Sequence, residues 1–400
     1  MKRFIVVVLD SFGVGAMADV VEVRPQDIDA NTAKHLLVYN KNIQWPMLLS
    51  LGLVNALGEE VGTYHRNQTA VFGRSKLAHF GGDTYFGHQE IMGTKPVKPL
   101  LNCFCDVIDE IEEDLNANGY QTKRYEKEGL EVLCVNDALF IGDNLETDPG
   151  QAINVTGSFD LVEFEEIIKV GRIVRKHVQV SRVIAFGGRQ VAFSDLLNAV
   201  TVCNGYIGID APKSKVYQQS YQVLHIGYGV DASVQVSSVL HEENVPTTLY
   251  GKVADIVENP NGKMVPGVET EYLFGQLLTD LKQNKTGFYC LNVQETDLAG
   301  HRCEPDFYID RLNASDVGIR EIINEMTEQD ILVVMADHGN DPTANSTKHS
   351  REYVPLLIHK KGIHSIDIGL RETMADVGAT VAEYFGTSIP FGTSFLSKLK

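Results

Sequence analysis

Three apolar runs, each halted by a carboxylate, constrain this chain more than any other feature. Phe4 to Leu9 runs into Asp10, Gly287 to Val293 into Glu295, Thr296 and Asp297, and Ile331 to Met335 into Asp337. Runs this short, partly β-branched and bounded by polar residues or glycine, predict strands buried on both faces. In an open parallel sheet, ligands collect outside the carboxyl ends of the strands. Acids far apart in sequence are therefore expected to converge.

Size and composition allow such a sheet. Four hundred residues suggest two or three domains, a hydrophobic content of 44% is ordinary for a globular protein, and no apolar stretch approaches a membrane span. A net charge of -18 argues against nucleic acid and anionic membranes as partners, because phosphate contacts need clustered Lys and Arg. An anionic small-molecule substrate would need local positive charge, which bound divalent cations supply. Cys103, Cys105, Cys134, Cys203, Cys290 and Cys303 lack the paired spacing of a zinc site and read as reduced thiols of a cytoplasmic protein. Met1-Lys2-Arg3 before an apolar run imitates a signal peptide, but the run stops at Asp10 and reads as a first strand. Nothing in the sequence fixes the oligomeric state.

The order of segments predicts a sheet interrupted by an insertion. Lys95-Pro96-Val97-Lys98-Pro99 looks like a hinge, and helical spacing follows from Asn102 to Asn118 and from about Leu161 to His177. The expected division is a core of 1–97 and 219–400 around an inserted domain of 98–218. A further helix is expected from about Arg371 to Phe385. Alternating strands and helices outside the insertion predict a three-layer α/β core.

Carboxylate and imidazole together suit divalent ions that handle phosphate, and two such ions about 4 Å apart can clamp an in-line displacement. Asp10, Asp297, His301, Asp337, His338 and His349 supply that mixture. Any one of the acids alone would more often be a helix cap, and any one histidine a core or surface residue. Thr84, in Gly81-Gly82-Asp83-Thr84, follows a glycine turn and opens a helical stretch, where N–H groups favour anions. Metal coordination of its hydroxyl would make it a nucleophile. Gly13-Val14-Gly15-Ala16-Met17-Ala18 imitates a dinucleotide fingerprint, yet Arg24 to Lys34 is polar and turn-rich where a second strand should follow, and no Walker A sequence is present.

Gly82-Asp83-Thr84 with Gly87-His88 and Glu90-Ile91-Met92-Gly93, Asp337-His338-Gly339-Asn340-Asp341-Pro342-Thr343, His349 with Arg351-Glu352-Tyr353-Val354-Pro355-Leu356, and Ala375-Asp376 through Gly392-Thr393-Ser394-Phe395-Leu396 resemble phosphopentomutases of the alkaline phosphatase superfamily. The resemblance implies a three-layer αβα core of alkaline-phosphatase type with an inserted α+β cap domain. It implies that Thr84 is phosphorylated, that Asp10, Thr84, Asp337 and His338 hold one ion, and that Asp297, His301 and His349 hold a second. It further implies manganese as the metal, a sugar bisphosphate as primer, and Lys252 of Gly251-Lys252-Val253-Ala254-Asp255 as a substrate contact.

Two stretches depart from that pattern. Asp297-Leu298-Ala299-Gly300-His301 is one residue shorter between acid and histidine, a spacing similar to that of cofactor-independent phosphoglycerate mutase. Where phosphopentomutases carry A-R-P-F-x-G-E, this chain has Ala185-Phe186-Gly187-Gly188-Arg189, which leaves Arg189 as the candidate substrate arginine. The expected activity is a phosphomutase interconverting ribose 1-phosphate and ribose 5-phosphate, or related sugar phosphates. A phosphohydrolase on the same core and a silent phospho-ligand-binding protein are the alternatives.

Overall fold

The computed structural model describes residues 2–41, 43–146, 150–283, 285–344 and 346–400. It contains an eight-stranded sheet formed by β1 (Arg3–Leu9), β2 (Val71–Ser75), β3 (Thr247–Tyr250), β4 (Lys263–Val265), β5 (Gly287–Val293), β6 (Ile331–Met335), β7 (Val354–His359) and β8 (Ile366–Arg371). Their spatial order is β4-β3-β5-β1-β6-β7-β2-β8. Strands β4, β3, β5, β1 and β6 are parallel; β7 runs antiparallel to both β6 and β2, and β8 is parallel to β2.

Every residue of β1, β5 and β6 is buried, so both faces of the sheet centre are covered. This is the expected three-layer α/β core, because a parallel sheet must bury both faces under its crossover helices. Leu273, Phe274, Leu277 and Leu281 of the Thr270–Lys282 helix and Tyr308, Leu312, Ile319 and Ile322 of the Pro305–Glu325 helix join the strand residues in one apolar cluster. The expected first strand is the centre of the sheet. Arg371, expected to open a helix, instead ends β8, and the helix spans Ala375–Phe385.

The register places the acids. Val8 of β1 pairs with Met335 of β6, so Asp10 and Asp337, each two residues further on, leave the sheet side by side. Leu9 pairs with Val293 of β5, which carries the following helix, Glu295–His301, to the same edge. The connection from β6 to β7 spans 336–353 and holds Asp337, His338, His349 and Arg351. A long loop on a rigid sheet edge is where function concentrates.

The chain divides into two compact units, 1–96 with 231–400, and 97–230. The second unit therefore extends past the expected return at 218, because strand Gln222–Gly227 pairs antiparallel with Arg182–Gly188 inside that unit's own six-stranded sheet. Alternation of period two sorts its core. Leu133 and Val135 meet the helices Ile108–Ala117 and Phe164–His177 on one face, while Val132 and Cys134 meet Leu196, Ile207 and Ile209 on the other. Of the stretch 102–118 expected to be helical, only Ile108–Ala117 forms an α-helix; Phe104–Asp106 is a 3-10 turn. Among the described residues no helix is long and apolar enough to cross a membrane.

Candidate metal centre

The three strand-end acids converge on one threonine and one lysine. The Thr84 hydroxyl donates to Asp337 Oδ2 at 2.7 Å and accepts from Lys252 Nζ at 3.1 Å. The same ammonium donates to Asp10 Oδ2 at 2.8 Å and to Asp297 Oδ2 at 3.3 Å, so its three N–H groups address three acceptors. Burial opposes the charge on Lys252, but Asp10, Asp297 and Asp337 hold the ammonium protonated well above the usual lysine range.

Local sequence explains the placement of Thr84. It opens the helix Thr84–Ile91, whose N-cap Asp83 accepts from Phe86 N at 3.0 Å. The positive end of that helix lies at Thr84. A side chain at Gly87 would put Cβ 2.9 Å from Asp337 Cβ and 3.0 Å from its carbonyl oxygen, so glycine there lets the helix lie directly on Asp337.

Four histidines have their Nδ1 atoms on backbone carbonyls: His88 on Thr84 O at 2.9 Å, His301 on Thr347 O at 2.6 Å, His338 on Gly339 O at 3.1 Å and His349 on Gly82 O at 2.7 Å. A carbonyl only accepts, so in each ring Nδ1 carries the hydrogen and a neutral ring offers Nε2 as a lone pair. This is the usual support of a metal-binding imidazole. The Nε2 atoms of His301 and His349 lie 2.9 Å apart, and 3.5 and 3.2 Å from Asp297 Oδ1. Three electron-rich atoms facing one another require a shared proton or a cation. Burial favours the neutral form of Asp297, but its two histidine neighbours and Lys252 hold the carboxyl far below its ordinary range.

The second cluster is drier. His338 Nε2 and Asp10 Oδ1 are both buried without a hydrogen-bond partner among the described residues and face each other at 3.5 Å, and the same Nε2 is 3.3 Å from Asp337 Oδ2. Burial pushes the His338 imidazole down to about 4, so the ring is neutral at pH 7. Burial, reinforced by Asp337 and Asp297 and opposed by Lys252, pushes the Asp10 carboxyl up to about 7. Orphaned lone pairs beside crowded carboxylates fit divalent cations of the kind the ligand chemistry selects. Asp297, His301 and His349 could hold one ion, with ligand atoms within 4.8 Å of one another. Asp10, Asp297 and His338 lie within 4.8 Å of one another and could hold another, and Asp337 adjoins them, 3.3 Å from His338 Nε2 and bonded to the Thr84 hydroxyl. His88 approaches Asp10 and Asp337 as well. Its Nδ1 hydrogen goes to Thr84 O and its Nε2 accepts from Asn292 Nδ2 at 3.0 Å, so it keeps no lone pair for a metal.

Eight of the residues expected from sequence are thus neighbours: Asp10, Thr84, Lys252, Asp297, His301, Asp337, His338 and His349. Arg189 lies elsewhere in the chain, exposed in the second unit after strand Arg182–Gly188, with its N–H on Gln219 O at 2.8 Å. Asn292 was not foreseen: its Nδ2 bridges Asp10 Oδ2 and His88 Nε2, both at 3.0 Å. A polar residue inside the otherwise apolar strand β5 was the available signal. Glu295 turns away to Thr270 and Arg311, whereas Thr296 donates to Asp10 O at 2.6 Å. A cavity of about 630 Å³ behind the 341–350 loop is lined by Arg24, His35, Tyr39, Asp341 and Ser350. Neither the three acids nor Thr84 line it, so it is not the reaction chamber.

Over residues 2–389 the chain matches the family described as metalloenzyme, metalloenzyme superfamily. Among solved structures it is similar to a Leishmania mexicana phosphoglycerate mutase at 12% identity, covering 98% of this chain and 97% of that one with a TM-score of 0.48. A protein from Pyrococcus horikoshii aligns at 14% identity over 98% of both chains with a TM-score of 0.46. An alkaline phosphatase superfamily protein from Vibrio parahaemolyticus aligns at 10% identity over 99% of this chain and 70% of that one with a TM-score of 0.43. These likenesses are distant, and the chemistry rests on this chain's own residues.

Proposed function

The chain belongs to the metalloenzyme superfamily, and from that premise we propose that it is a metal-dependent phosphomutase working through phosphorylated Thr84, with a pentose monophosphate such as ribose 1-phosphate or ribose 5-phosphate as substrate. The observation that carries the reading is the pair of contacts on the Thr84 hydroxyl. Its proton points to Asp337 Oδ2 and its lone pair to the Lys252 ammonium, in the midst of two donor sets.

Divalent ions, manganese by resemblance, would be held by Asp10, Thr84, Asp337 and His338 and by Asp297, His301 and His349, and would supply positive charge to a transferring phosphoryl group. Asp337 orients the hydroxyl, Lys252 stabilises the oxygen as its proton leaves, and the helix end at Thr84 favours an incoming anion. Phosphothreonine would then give its phosphoryl group to a sugar monophosphate, and the bisphosphate formed would return its other phosphate to Thr84. A sugar bisphosphate primes the cycle, and water must be kept from phosphothreonine while the bisphosphate turns. Lys252 serves the nucleophile in this reading, and Arg189 is the proposed substrate arginine.

The test is incubation with Mn2+, a sugar bisphosphate primer and ribose 1-phosphate, followed by phosphorus NMR. Appearance of ribose 5-phosphate without free phosphate supports the mutase. Release of free phosphate alone would make the protein a phosphohydrolase.

A further inference from the structure

We propose that Arg351 is a positioning residue for Thr84, fixing the nucleophile turn to the loop that carries His349. The proposal rests on the reading of Thr84 as phosphoryl acceptor given above. Arg351 is 6% exposed and lies two residues beyond His349. Its Nη1 donates to His79 O at 2.7 Å and Gly81 O at 2.8 Å, and its Nη2 to Leu77 O at 3.0 Å. The remaining donors go to Asp19, Nε to Oδ1 at 3.0 Å and Nη2 to Oδ2 at 2.8 Å. All five N–H groups of the guanidinium are thus satisfied, three of them by alternate carbonyls of the irregular segment that runs into Gly82, Asp83 and Thr84.

A second set of contacts closes the same gap. His349 Nδ1 donates to Gly82 O at 2.7 Å, and a side chain at Gly82 would put Cβ 3.0 Å from Ser350 O. The turn before Thr84 therefore lies directly on the His349–Ser350 backbone, and Arg351 holds the approach to it. Arg24 Nη2 on His349 O at 2.7 Å and Asp27 Oδ2 accepting Arg351 N at 2.9 Å anchor the loop from behind. A lysine at 351 would keep the charge, but three donors on one nitrogen cannot span three carbonyls and Asp19. Since Thr84 meets Asp337 and Lys252 only through contacts near 3 Å, a shift of about 1 Å in the turn is expected to cost roughly a hundredfold in rate.

The test compares wild type, Arg351→Lys and Asp19→Asn, each with Mn2+, using p-nitrophenyl phosphate as phosphoryl donor and calorimetry for Mn2+ stoichiometry. Expected for Arg351→Lys is wild-type stoichiometry, KM within about twofold and kcat lower by about a hundredfold. A kcat within about threefold of wild type at full stoichiometry would overturn the proposal. If Arg351→Lys fails to bind Mn2+, Asp19→Asn decides: it removes the charge that holds Nε and Nη2 and so loosens the guanidinium's hold on the carbonyls, and kcat should fall by about tenfold with KM unchanged, whereas unaltered kcat overturns the proposal. If wild type itself does not turn over, the phosphoryl-transfer reading fails separately. The positioning role is then read from the visible absorption of Co2+ at the His349 site, where a band shift in either variant supports it and identical spectra overturn it.

Discussion

His301 and His349 point their Nε2 atoms at each other across 2.9 Å while each commits Nδ1–H to a backbone carbonyl. Two lone pairs and the Asp297 carboxylate at that spacing require a shared proton or a cation, and the set fits a divalent ion. His349→Ala should therefore remove one equivalent of Mn2+ per chain in equilibrium dialysis and leave the set of Asp10, Asp337 and His338 occupied. Unaltered stoichiometry would take His349 off the ligand set.

Proton competition sets the pH dependence of metal binding. The Asp10 carboxyl is pushed up to about 7 by burial and by Asp337, so below that pH a proton must leave before a cation enters. Mn2+ affinity at the set that includes Asp10 is expected to rise with pH through about 7, with proton release seen by calorimetry in buffers of different ionisation enthalpy. His338, near 4, contributes little to that release.

Asp143 of the second unit gives a separate pH signature. It accepts from Phe104 N at 2.8 Å and Ile207 N at 3.0 Å, yet burial dominates and pushes it from 3.8 up to about 6. A raised carboxyl pKa means the folded state binds the proton more tightly than the unfolded one. Its stabilisation is complete below about pH 4 and lost as pH rises through about 6, on the order of 2–3 kcal/mol. Denaturant unfolding between these values should show that loss in wild type and a flatter profile in Asp143→Asn.

Arg3 and Asp330 form a buried ion pair at 2.5 Å, both essentially inaccessible, at the start of the central strand. Asp330→Ala removes the carboxylate that Arg3 Nε and Nη2 address and leaves the contacts to Leu281 O and Glu325 O. The expected loss is about 3–5 kcal/mol by urea unfolding, with no change in Mn2+ stoichiometry.

The parts of the centre legible in the sequence are those set by strand ends. Phe4–Leu9, Gly287–Val293 and Ile331–Met335 stop abruptly at polar residues, and parallel registry carries Asp10 and Asp337 to one edge. Thr84 was legible through the glycine turn before it and the cap at Asp83. The role of Lys252 among three carboxylates was not, because it depends on a short helix entered through Gly251 at φ +75° and on no local pattern. The end of the second unit was missed for a similar reason: Gln222–Gly227 is assigned by its antiparallel partner Arg182–Gly188, forty residues or so away in sequence. Asn292 escaped notice because its importance lies in the hydrogen bonds its Nδ2 makes to Asp10 and His88, which no local pattern announces.

Intact-protein mass spectrometry, with fragmentation to locate the site, tests the central claim most directly. After incubation with Mn2+ and a sugar bisphosphate, wild type should gain one phosphoryl group on Thr84 and lose it when ribose 5-phosphate is added, and Thr84→Ala should gain none. A phosphoryl group on another residue, or full sugar-phosphate turnover by Thr84→Ala, would contradict the account.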